Sequence, residues 1–299
     1  MDRWEGIFAI LMSPYTKSGS VDGKALRSSI DFALKNRISG LVVLGSTGEF
    51  PYIQMKDKKK IIDIAVDHAN GRAPVVAGSS AFGTEDVLEL SKYAQDAGAD
   101  GLMVNVPIYY GLDDESVINH YETLDSKTDC RILLYNFPAT THYEMKPEMV
   151  VRLAELDKVV GIKESISDLK QIGAVIKRVK KPFSTFLGGS RILLDVLKLG
   201  GAGCADPNAD VLPEYVVAVY DAYRSGDLTR AEDAQRRLNS LASIFEPGRS
   251  ATHAAIKEAM RARGIPIESI VKQPLPQLSE EQKKQIHERV ESAGLAKDI

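Results

Sequence analysis

The sequence predicts an α/β fold in which eight parallel strands, each followed by a helix, close into a (β/α)8 barrel. Eight short apolar runs alternate with amphipathic segments up to about residue 207. The runs are almost continuously apolar, which is typical of parallel strands that are buried on both faces. A doubly wound open sheet is the alternative, but it usually has a glycine-rich turn after its first strand, where this chain has Ser13-Pro14-Tyr15. We therefore expect a TIM barrel with a C-terminal helical appendage.

Each predicted strand is a short run that ends at a glycine, a proline or a polar turn. The eight runs are residues 6–13, 40–45, 73–78, 101–106, 131–137, 159–163, 183–188 and 201–205. The intervening helices are predicted from apolar positions three and four residues apart. They cover residues 22–37 (capped by Asp22), 56–70, 84–97 (capped by Thr84), 114–127, 146–156, 168–180 and 191–199.

The last part of the chain is predicted to be entirely helical. Helical patterns cover residues 211–224, 227–245, 250–263 and 279–293. One of these helices must complete the ring around the barrel. We therefore assign residues 1–224 to the barrel and residues 225–299 to a C-terminal helical region.

Composition and charge restrict the class of protein. The chain of 299 residues is 44% hydrophobic and 26% charged, and its formal net charge of −3 without a basic block argues against a nucleic-acid partner. The N-terminus lacks the apolar segment of a signal peptide, and no apolar run reaches membrane-spanning length. Cys130 and Cys204 lie in apolar, strand-like runs, so we expect no disulfide framework and a cytoplasmic location.

The strongest candidate for chemistry is Lys163, which directly follows the apolar run 159–162. Burial disfavours the charged ammonium form of a lysine, and a neutral amine can attack a ketone to form a Schiff base. The alternative is a strand-end lysine that extends its amine into solvent. The residues predicted at the same end of the barrel favour the catalytic interpretation.

Active sites of (β/α)8 barrels lie at the carboxyl ends of the strands. The second predicted strand ends in residues 45–49, where glycines flank a serine and a threonine, and the backbone N–H groups of this turn could hold a carboxylate. The fourth strand leads to Tyr109 and Tyr110, and the fifth delivers Tyr135. A lysine, tyrosines and a hydroxyl-bearing turn at one barrel face form an acid–base set suited to Schiff-base chemistry.

Three motifs in the chain indicate a family. They are Gly45-Ser46-Thr47-Gly48-Glu49, Tyr135-Asn136-Phe137-Pro138 and Gly161-Ile162-Lys163-Glu164. In this order they closely resemble the signatures of the dihydrodipicolinate synthase/N-acetylneuraminate lyase family, whose members are class I aldolases that bind pyruvate. The resemblance extends over nearly the whole chain. It implies a lyase in which Lys163 forms the Schiff base with the substrate, without a separate cofactor.

The resemblance also implies roles for residues around the Schiff-base lysine. Tyr135 would transfer protons, with Ser46 taking part in the relay. Ser46, Thr47 and Gly48 would hold the pyruvate carboxylate. The backbone at Ala205 would line the pyruvate pocket.

A quaternary structure is implied as well, because members of the family are usually homotetramers built as dimers of dimers. Tyr109, or its neighbour Tyr110, would reach across a subunit interface into the neighbouring site as a catalytic residue. Apart from other copies of the chain, the expected partners are small molecules, namely pyruvate or another 2-oxo acid and an aldehyde.

Two departures from the family pattern restrict the range of possible substrates. Dihydrodipicolinate synthases carry an arginine where this chain has Thr140, and sialic acid lyases carry an acidic pair where it has Gly189-Ser190. Both activities are therefore disfavoured. Four classes of the family are left: the 2-keto-3-deoxy sugar acid aldolases, the hydroxy-oxoglutarate aldolases, the hydratase-aldolases and the dehydratases.

Several small or hydroxyl-bearing residues at the strand ends are further candidates for substrate binding: Thr140, Thr141, Ser165, Gly188 and Ser190. Hydroxyl groups suit a polyol, which favours a substrate of the 2-keto-3-deoxygluconate type. They are equally suited to helix caps, and Ser165 has the position for one. A Schiff-base dehydratase or hydratase, a 4-hydroxy-tetrahydrodipicolinate synthase and a non-catalytic 2-oxo-acid sensor are the alternative functions.

The histidines show no spacing typical of metal ligands. They are His68, His120, His142, His253 and His287. We expect them on the surface or in helix packing, and we expect no metal site.

Overall fold

The eight predicted strands form a closed parallel barrel in the computed structural model, which describes residues 3–295. The strands pair in sequence order, and the first closes on the last with Ala9 opposite Asp206. They are β1 Gly6–Ile10, β2 Gly40–Val43, β3 Val75–Gly78, β4 Gly101–Asn105, β5 Arg131–Asn136, β6 Val159–Glu164, β7 Ser184–Leu187 and β8 Gly203–Asp206. The predicted fold class is confirmed.

Helices follow the strands and continue after the barrel. They are α1 Gly23–Lys35, α2 Met55–Ala69, α3 Thr84–Asp96, α4 Asp114–Lys127, α5 Pro138–Thr141, α6 Pro147–Leu153, α7 Leu169–Arg178, α8 Leu193–Lys198, α9 Asn208–Val211, α10 Pro213–Arg224, α11 Leu228–Leu241, α12 Thr252–Ala262 and α13 Glu280–Ser292. Two segments, Phe50–Tyr52 and Ala242–Gly248, are 3-10 helices.

The helix caps were predicted with mixed success. Asp22 caps α1 as expected, since its carboxylate accepts from two N–H groups of the first turn. Thr84 is not a cap, because α3 begins at Thr84 itself and Gly83 occupies the cap position. Ser165 does not cap α7 either, because Asp168 accepts the N–H groups of that first turn, three residues further along the chain.

Two apolar layers hold the barrel together. One fills the space between the strands and the helices, and the other fills the barrel interior. The interior layer consists of Phe8, Ile10, Val42, Val76, Met103, Leu133, Tyr135, Phe186, Ala202 and Ala205. Because side chains alternate along a strand, Tyr135 and Ala205 face this interior near the carboxyl ends of β5 and β8.

The C-terminal helices pack against the barrel as well as against one another. The helix predicted for residues 227–245 ends earlier, since α11 stops at Leu241 and residues Ala242–Gly248 continue as a 3-10 helix, a form that is common at the C-termini of α-helices. Helix α12 is largely buried, and its Lys257 forms a fully buried ion pair with Glu49 of the turn after β2. The C-terminal region therefore contacts the end of the barrel at which the predicted site lies.

Among residues 3–295, no helix is both long enough and apolar enough to cross a membrane. Within those residues, no three histidine, cysteine, aspartate or glutamate side chains are grouped so that they could hold a metal ion.

Candidate active site

Lys163 lies near the carboxyl end of β6 and is almost completely buried, with 3% of its surface exposed. It is paired with Tyr135 on the neighbouring strand β5. Its Nζ lies over the face of the Tyr135 ring, 4.2 Å from the ring centroid. The lysine therefore does not extend into solvent, because its amine is placed against an aromatic side chain of the barrel interior.

The Tyr135 hydroxyl connects this lysine to the turn after β2. Its oxygen lies 3.2 Å from Ser46 Oγ, and either hydroxyl can be the donor of the hydrogen bond. The Tyr135 ring is stacked on Phe137, with 5.9 Å between the ring centroids. Residues 89 positions apart in the sequence are thus joined at the mouth of the barrel.

The turn after β2, which carries Ser46, also contains backbone N–H donors. Glu49 has a left-handed conformation with φ 65°, and its N–H donates to the Ser46 carbonyl at 3.0 Å. A Cβ on Gly48 would lie 3.1 Å from a backbone oxygen of the first strand's extension, so the turn packs tightly there. The N–H groups of Ser46, Thr47 and Gly48 find no hydrogen-bond acceptor among residues 3–295. Such a set of free donors is suited to an anion.

The other predicted binding residues differ in their surroundings. Ala205 lies in the barrel interior with Tyr135. Thr140 is exposed, and its hydroxyl donates to the Phe137 carbonyl at 3.1 Å. Thr141 is buried, and its hydroxyl lies within hydrogen-bond distance of two backbone carbonyls. Its hydroxyl proton is therefore used inside the chain and is not free to bind a substrate.

Ser165, Gly188 and Ser190 lie together at the ends of β6 and β7. A Cβ on Gly188 would come within 2.0 Å of Ser165 Oγ, so only glycine leaves room for that hydroxyl. Ser190 is buried, with 2% of its surface exposed, and its Oγ accepts from Asn208 Nδ2 at 2.9 Å. The Ser190 hydroxyl is therefore already engaged within the chain.

Tyr109 is not brought to Lys163 within one chain. The side chains of Tyr109 and Tyr110 are 74% and 75% exposed, and their rings meet edge to face with centroids 4.9 Å apart. Tyr109 also has a positive φ of 105°, which is uncommon for a large side chain. The loop that follows β4 presents both rings to solvent.

Two buried carboxyl groups behind the site were not singled out from the sequence. Glu164 follows Lys163, and its Oε2 accepts from Asn136 Nδ2 at 2.8 Å. Burial raises the pKa of Glu164 to about 8, against the opposing effect of this hydrogen bond, and the charge of Glu144 raises it further. Both Asn136 and Glu164 belong to the motifs recognised in the sequence, so their position in those motifs was the available signal.

Asp206, at the end of β8, is the second of these carboxyl groups. Burial raises its pKa, whereas the Ser190 hydroxyl, the Asn208 N–H and the charge of Lys163 lower it. Its Oδ1 accepts from the Asn208 N–H at 3.2 Å. An acidic residue directly after an apolar strand was the sequence signal that could have identified it.

His253 was expected on the surface or in helix packing, but it lies beside the predicted site. Its Nε2 is 3.3 Å from the Ser46 carbonyl oxygen. Together with Ser46 and Thr140 it lines a cavity of about 180 Å³. No local pattern in the sequence indicates this contact, because the two residues are 207 positions apart.

The chain is similar to known proteins over nearly its whole length. The model of the dihydrodipicolinate synthetase family matches residues 3–293. A "probable 2-dehydro-3-deoxy-D-pentonate aldolase", YjhH of Escherichia coli K12, is 31% identical over 299 residues, which is 99% of each chain. A 4-hydroxy-tetrahydrodipicolinate synthase of Methanopyrus kandleri is 31% identical over 295 residues, which is 97% of each chain.

A solved structure is similar over the same extent. It is that of YagE from Escherichia coli K12, described as a prophage protein of the dihydrodipicolinic acid synthase family in complex with pyruvate. It superposes with a TM-score of 0.93 at 29% identity and covers 98% of this chain and 99% of its own. The protein thus belongs to the dihydrodipicolinate synthetase family and is an enzyme of that family's Schiff-base, pyruvate-dependent aldolase and synthase class.

Proposed function

We propose that the protein is a class I aldolase that reversibly cleaves a 2-keto-3-deoxy sugar acid, of the 2-keto-3-deoxygluconate type, to pyruvate and an aldehyde. The observation that carries the proposal is the chain of contacts from Lys163 Nζ to the Tyr135 ring and from the Tyr135 hydroxyl to Ser46 Oγ. It brings an amine and two hydroxyl groups together at one end of the barrel, and this supports the proposal because Schiff-base catalysis requires an amine and groups that transfer protons.

The turn after β2 is proposed to bind the pyruvate carboxylate. The unbonded N–H groups of Thr47 and Gly48 are donors of the kind that hold carboxylates, and the Ser46 hydroxyl lies beside them. Ala205, across the barrel interior, is small enough to leave room for the methylene and carbonyl carbons of the substrate. This arrangement holds the 2-oxo acid with its C2 carbon toward Lys163.

The reaction follows from these positions. The Lys163 amine adds to the C2 keto group, water leaves, and C2 becomes an iminium carbon. The C3–C4 bond breaks as its electron pair moves into a C2=C3 enamine, and the C4 hydroxyl proton passes to the relay of Tyr135 and Ser46 while C4 becomes the aldehyde carbon. Protonation of the enamine at C3 and addition of water at C2 release pyruvate and restore the amine.

The choice of a sugar acid is supported by the residues that face the second part of the substrate. An exposed Thr140 stands where dihydrodipicolinate synthases carry an arginine, so a neutral, hydroxylated group is accommodated better than a second carboxylate. Ser165, beside Gly188, adds another hydroxyl. The similarity to YjhH supports the same substrate class.

An alternative within the family is a 4-hydroxy-tetrahydrodipicolinate synthase, which the similarity to the Methanopyrus kandleri protein favours. A Schiff-base dehydratase or hydratase and a hydroxy-oxoglutarate aldolase would use the same lysine. Pyruvate release from a 2-keto-3-deoxy acid separates an aldolase from the synthase and from a dehydratase or hydratase. The identity of the aldehyde released with it separates a sugar acid aldolase from a hydroxy-oxoglutarate aldolase.

We also propose that the active form is a homotetramer built as a dimer of dimers, in which Tyr109 enters the site of the neighbouring subunit. The exposure of Tyr109 and Tyr110 supports this proposal, because two adjacent aromatic side chains at a loop tip are typical of an interface. The tyrosine would then extend the proton relay of Tyr135 and Ser46.

The test is reduction with borohydride in the presence of pyruvate, followed by peptide mass spectrometry. We expect one stable adduct on the peptide that contains Lys163 and none on a Lys163→Arg protein, which keeps a long basic side chain but has no amine to form the Schiff base. A folded wild-type protein without an adduct, or with the adduct on another lysine, would contradict the proposal. A panel of 2-keto-3-deoxy acids, with pyruvate release as the readout, then identifies the substrate.

A further inference from the structure

The cavity beside Ser46 has one wall from the C-terminal helical region. It has a volume of about 180 Å³, and its walls are mainly apolar, from the segment 50–52, Ile108 and Leu275. The hydroxyls of Ser46 and Thr140, the side chain of Asn105 and the imidazole of His253 also line it. Because Ser46 is bonded to Tyr135, this cavity adjoins the place where the reacting carbons of a substrate on Lys163 would lie.

The cavity walls contain no permanent positive charge. No lysine or arginine is among the described residues that line it. Its one acidic residue, Glu49, is fully engaged, because Oε1 accepts from Lys257 Nζ and Oε2 accepts from the Lys272 N–H at 2.7 Å. A carboxylate on the distal part of a substrate would therefore be desolvated there without a permanent countercharge, which is unfavourable. A hydroxyl group would instead find hydrogen-bond partners.

The contact with Ser46 determines which tautomer the neutral His253 ring adopts. A carbonyl oxygen only accepts hydrogen bonds, so the ring must donate to the Ser46 carbonyl from Nε2, at 3.3 Å. In the neutral ring, Nδ1 is then an acceptor, and it accepts no hydrogen bond from residues 3–295. An acceptor of this kind in a mainly apolar cavity is suited to a hydroxyl donor.

His253 is held in place by a second contact on the same helix. Lys257 lies one turn after it on α12, and its buried ammonium group bonds to Glu49, three residues after Ser46. Lys257 also donates to the Ile270 carbonyl at 2.7 Å. Two contacts, one from each residue, therefore join α12 to the turn after β2 and restrict where the imidazole can lie.

We propose that His253 is a specificity-determining residue, which accepts a hydrogen bond from a hydroxyl group of the aldehyde part of the substrate. The substrate class is a neutral, short-chain hydroxyaldehyde that adds to the pyruvate enamine, as opposed to a semialdehyde carrying a second charge. This inference rests on the proposed function, since it assumes that the enamine forms on Lys163.

The experiment measures kcat/KM for addition to pyruvate of two aldehydes of equal length, glyceraldehyde and propanal, with the wild-type protein and with His253→Phe. Phenylalanine keeps an aromatic ring of similar size but has no ring nitrogen. We expect the wild type to prefer glyceraldehyde, and His253→Phe to lose about tenfold in kcat/KM with glyceraldehyde, the factor typical of one hydrogen bond, while the value with propanal changes by less than about twofold. His253→Asn, whose amide oxygen can occupy the place of Nδ1, should recover part of the loss.

Two controls separate the possible outcomes. Thr252→Ala changes an exposed neighbour on α12 and should leave both aldehydes unaffected. Borohydride trapping of pyruvate on Lys163 should be the same in His253→Phe as in the wild type. Two results would overturn the role of His253 even if pyruvate is still trapped on Lys163. One is an equal loss of kcat/KM with both aldehydes in His253→Phe, and the other is a wild-type protein that shows no preference for glyceraldehyde. Failure of the wild type itself to trap pyruvate overturns the proposed function and this inference together.

Discussion

At the scale of single residues, Tyr135 occupies the position between the amine and the turn that carries the backbone donors. Its ring face is 4.2 Å from Lys163 Nζ, and its hydroxyl is 3.2 Å from Ser46 Oγ. A hydroxyl in this position can move protons without forming a covalent bond to the substrate. Its removal should therefore affect the rates of the proton-transfer steps more than the amount of Schiff base formed at equilibrium.

We predict that Tyr135→Phe lowers kcat for pyruvate release by about 100- to 10,000-fold, the range expected for the loss of one general acid–base group. Borohydride should still trap pyruvate on Lys163 after a long incubation. The measurement is steady-state turnover combined with mass spectrometry of the reduced protein. The control is Tyr93→Phe, which removes an exposed hydroxyl bonded to Asp63 and should keep the wild-type rate. If Tyr135→Phe also kept the wild-type kcat, Tyr135 would have no part in proton transfer.

The buried carboxyl group of Glu164 makes stability depend on pH. Its pKa is raised from 4.5 to about 8 by burial, so the native state binds this proton more tightly than the unfolded state. The resulting stabilisation is fully present below about pH 4.5 and is lost as the pH rises through about 8. At about 1.4 kcal/mol for each pKa unit, the loss is on the order of 5 kcal/mol once both states are ionised.

We predict that Glu164→Gln, which cannot ionise, is more stable than the wild type at pH 9 and has similar stability at pH 5. The measurement is denaturant unfolding of both proteins across this pH range. The difference between their free energies of unfolding reports on Glu164 alone, because other buried acids such as Asp210 are present in both proteins. A difference that does not change with pH would show that Glu164 is not protonated in the native state.

At the scale of elements, the turn after β2 and helix α12 behave as one structural unit. Glu49 and Lys257 are completely buried, and both oxygens of the carboxylate have donors, from Lys257 and from the Lys272 backbone. Lys257 also lies over the Tyr15 ring, 4.4 Å from its centroid. Because the turn carries Ser46, the position of a C-terminal helix affects the geometry of the site.

We predict that Lys257→Met destabilises the protein by about 3–5 kcal/mol, because it leaves the Glu49 carboxylate buried without its ammonium partner. The double variant Glu49→Gln/Lys257→Met should recover a substantial part of this loss, since no isolated charge is then buried. Urea unfolding of the two single variants and the double variant measures the coupling. Additive losses in the double variant would mean that the two residues act independently.

The elements themselves were predictable to a large extent, because a strand or an amphipathic helix is encoded by the spacing of neighbouring residues. Helix α4 has the predicted bounds, and all eight strands lie where apolar runs were found. Local sequence does not determine the cap of α7, since Ser165 and Asp168 both have suitable side chains, and only the path of the chain decides between them. The contacts of His253 and Lys257 with the turn after β2 could not be predicted in this way, because they join residues more than 200 positions apart. Local periodicity carries no information about which helix packs against that turn.

At the scale of the whole molecule, one part of the predicted site lies at the surface. Lys163, Tyr135 and Ser46 converge within one chain, whereas Tyr109 is 74% exposed on the loop after β4. Phe82, on the loop after the neighbouring strand β3, is also exposed, at 61%. Exposed aromatic side chains on adjacent loops are characteristic of an interface, and a symmetric dimer would place the same loop of each subunit near the other. A site completed in this way is active only in the assembled protein.

Complementation between two inactive variants tests this arrangement. Lys163→Ala lacks the amine but keeps Tyr109, and Tyr109→Phe keeps the amine but lacks the hydroxyl. If Tyr109 acts across the interface, a mixed dimer contains one site with both groups, so random mixing should restore activity at about a quarter of all sites. The measurement is pyruvate release after the two proteins are unfolded, mixed and refolded together, with each variant refolded alone as the control.

The contradicting outcome is a recovered activity no greater than the sum of the two controls. It would mean that Tyr109 acts within its own subunit or has no part in catalysis. Light scattering of the mixture would establish whether mixed assemblies had formed. Because neither variant can supply the missing group to its own site, restored activity has no source other than a neighbouring subunit.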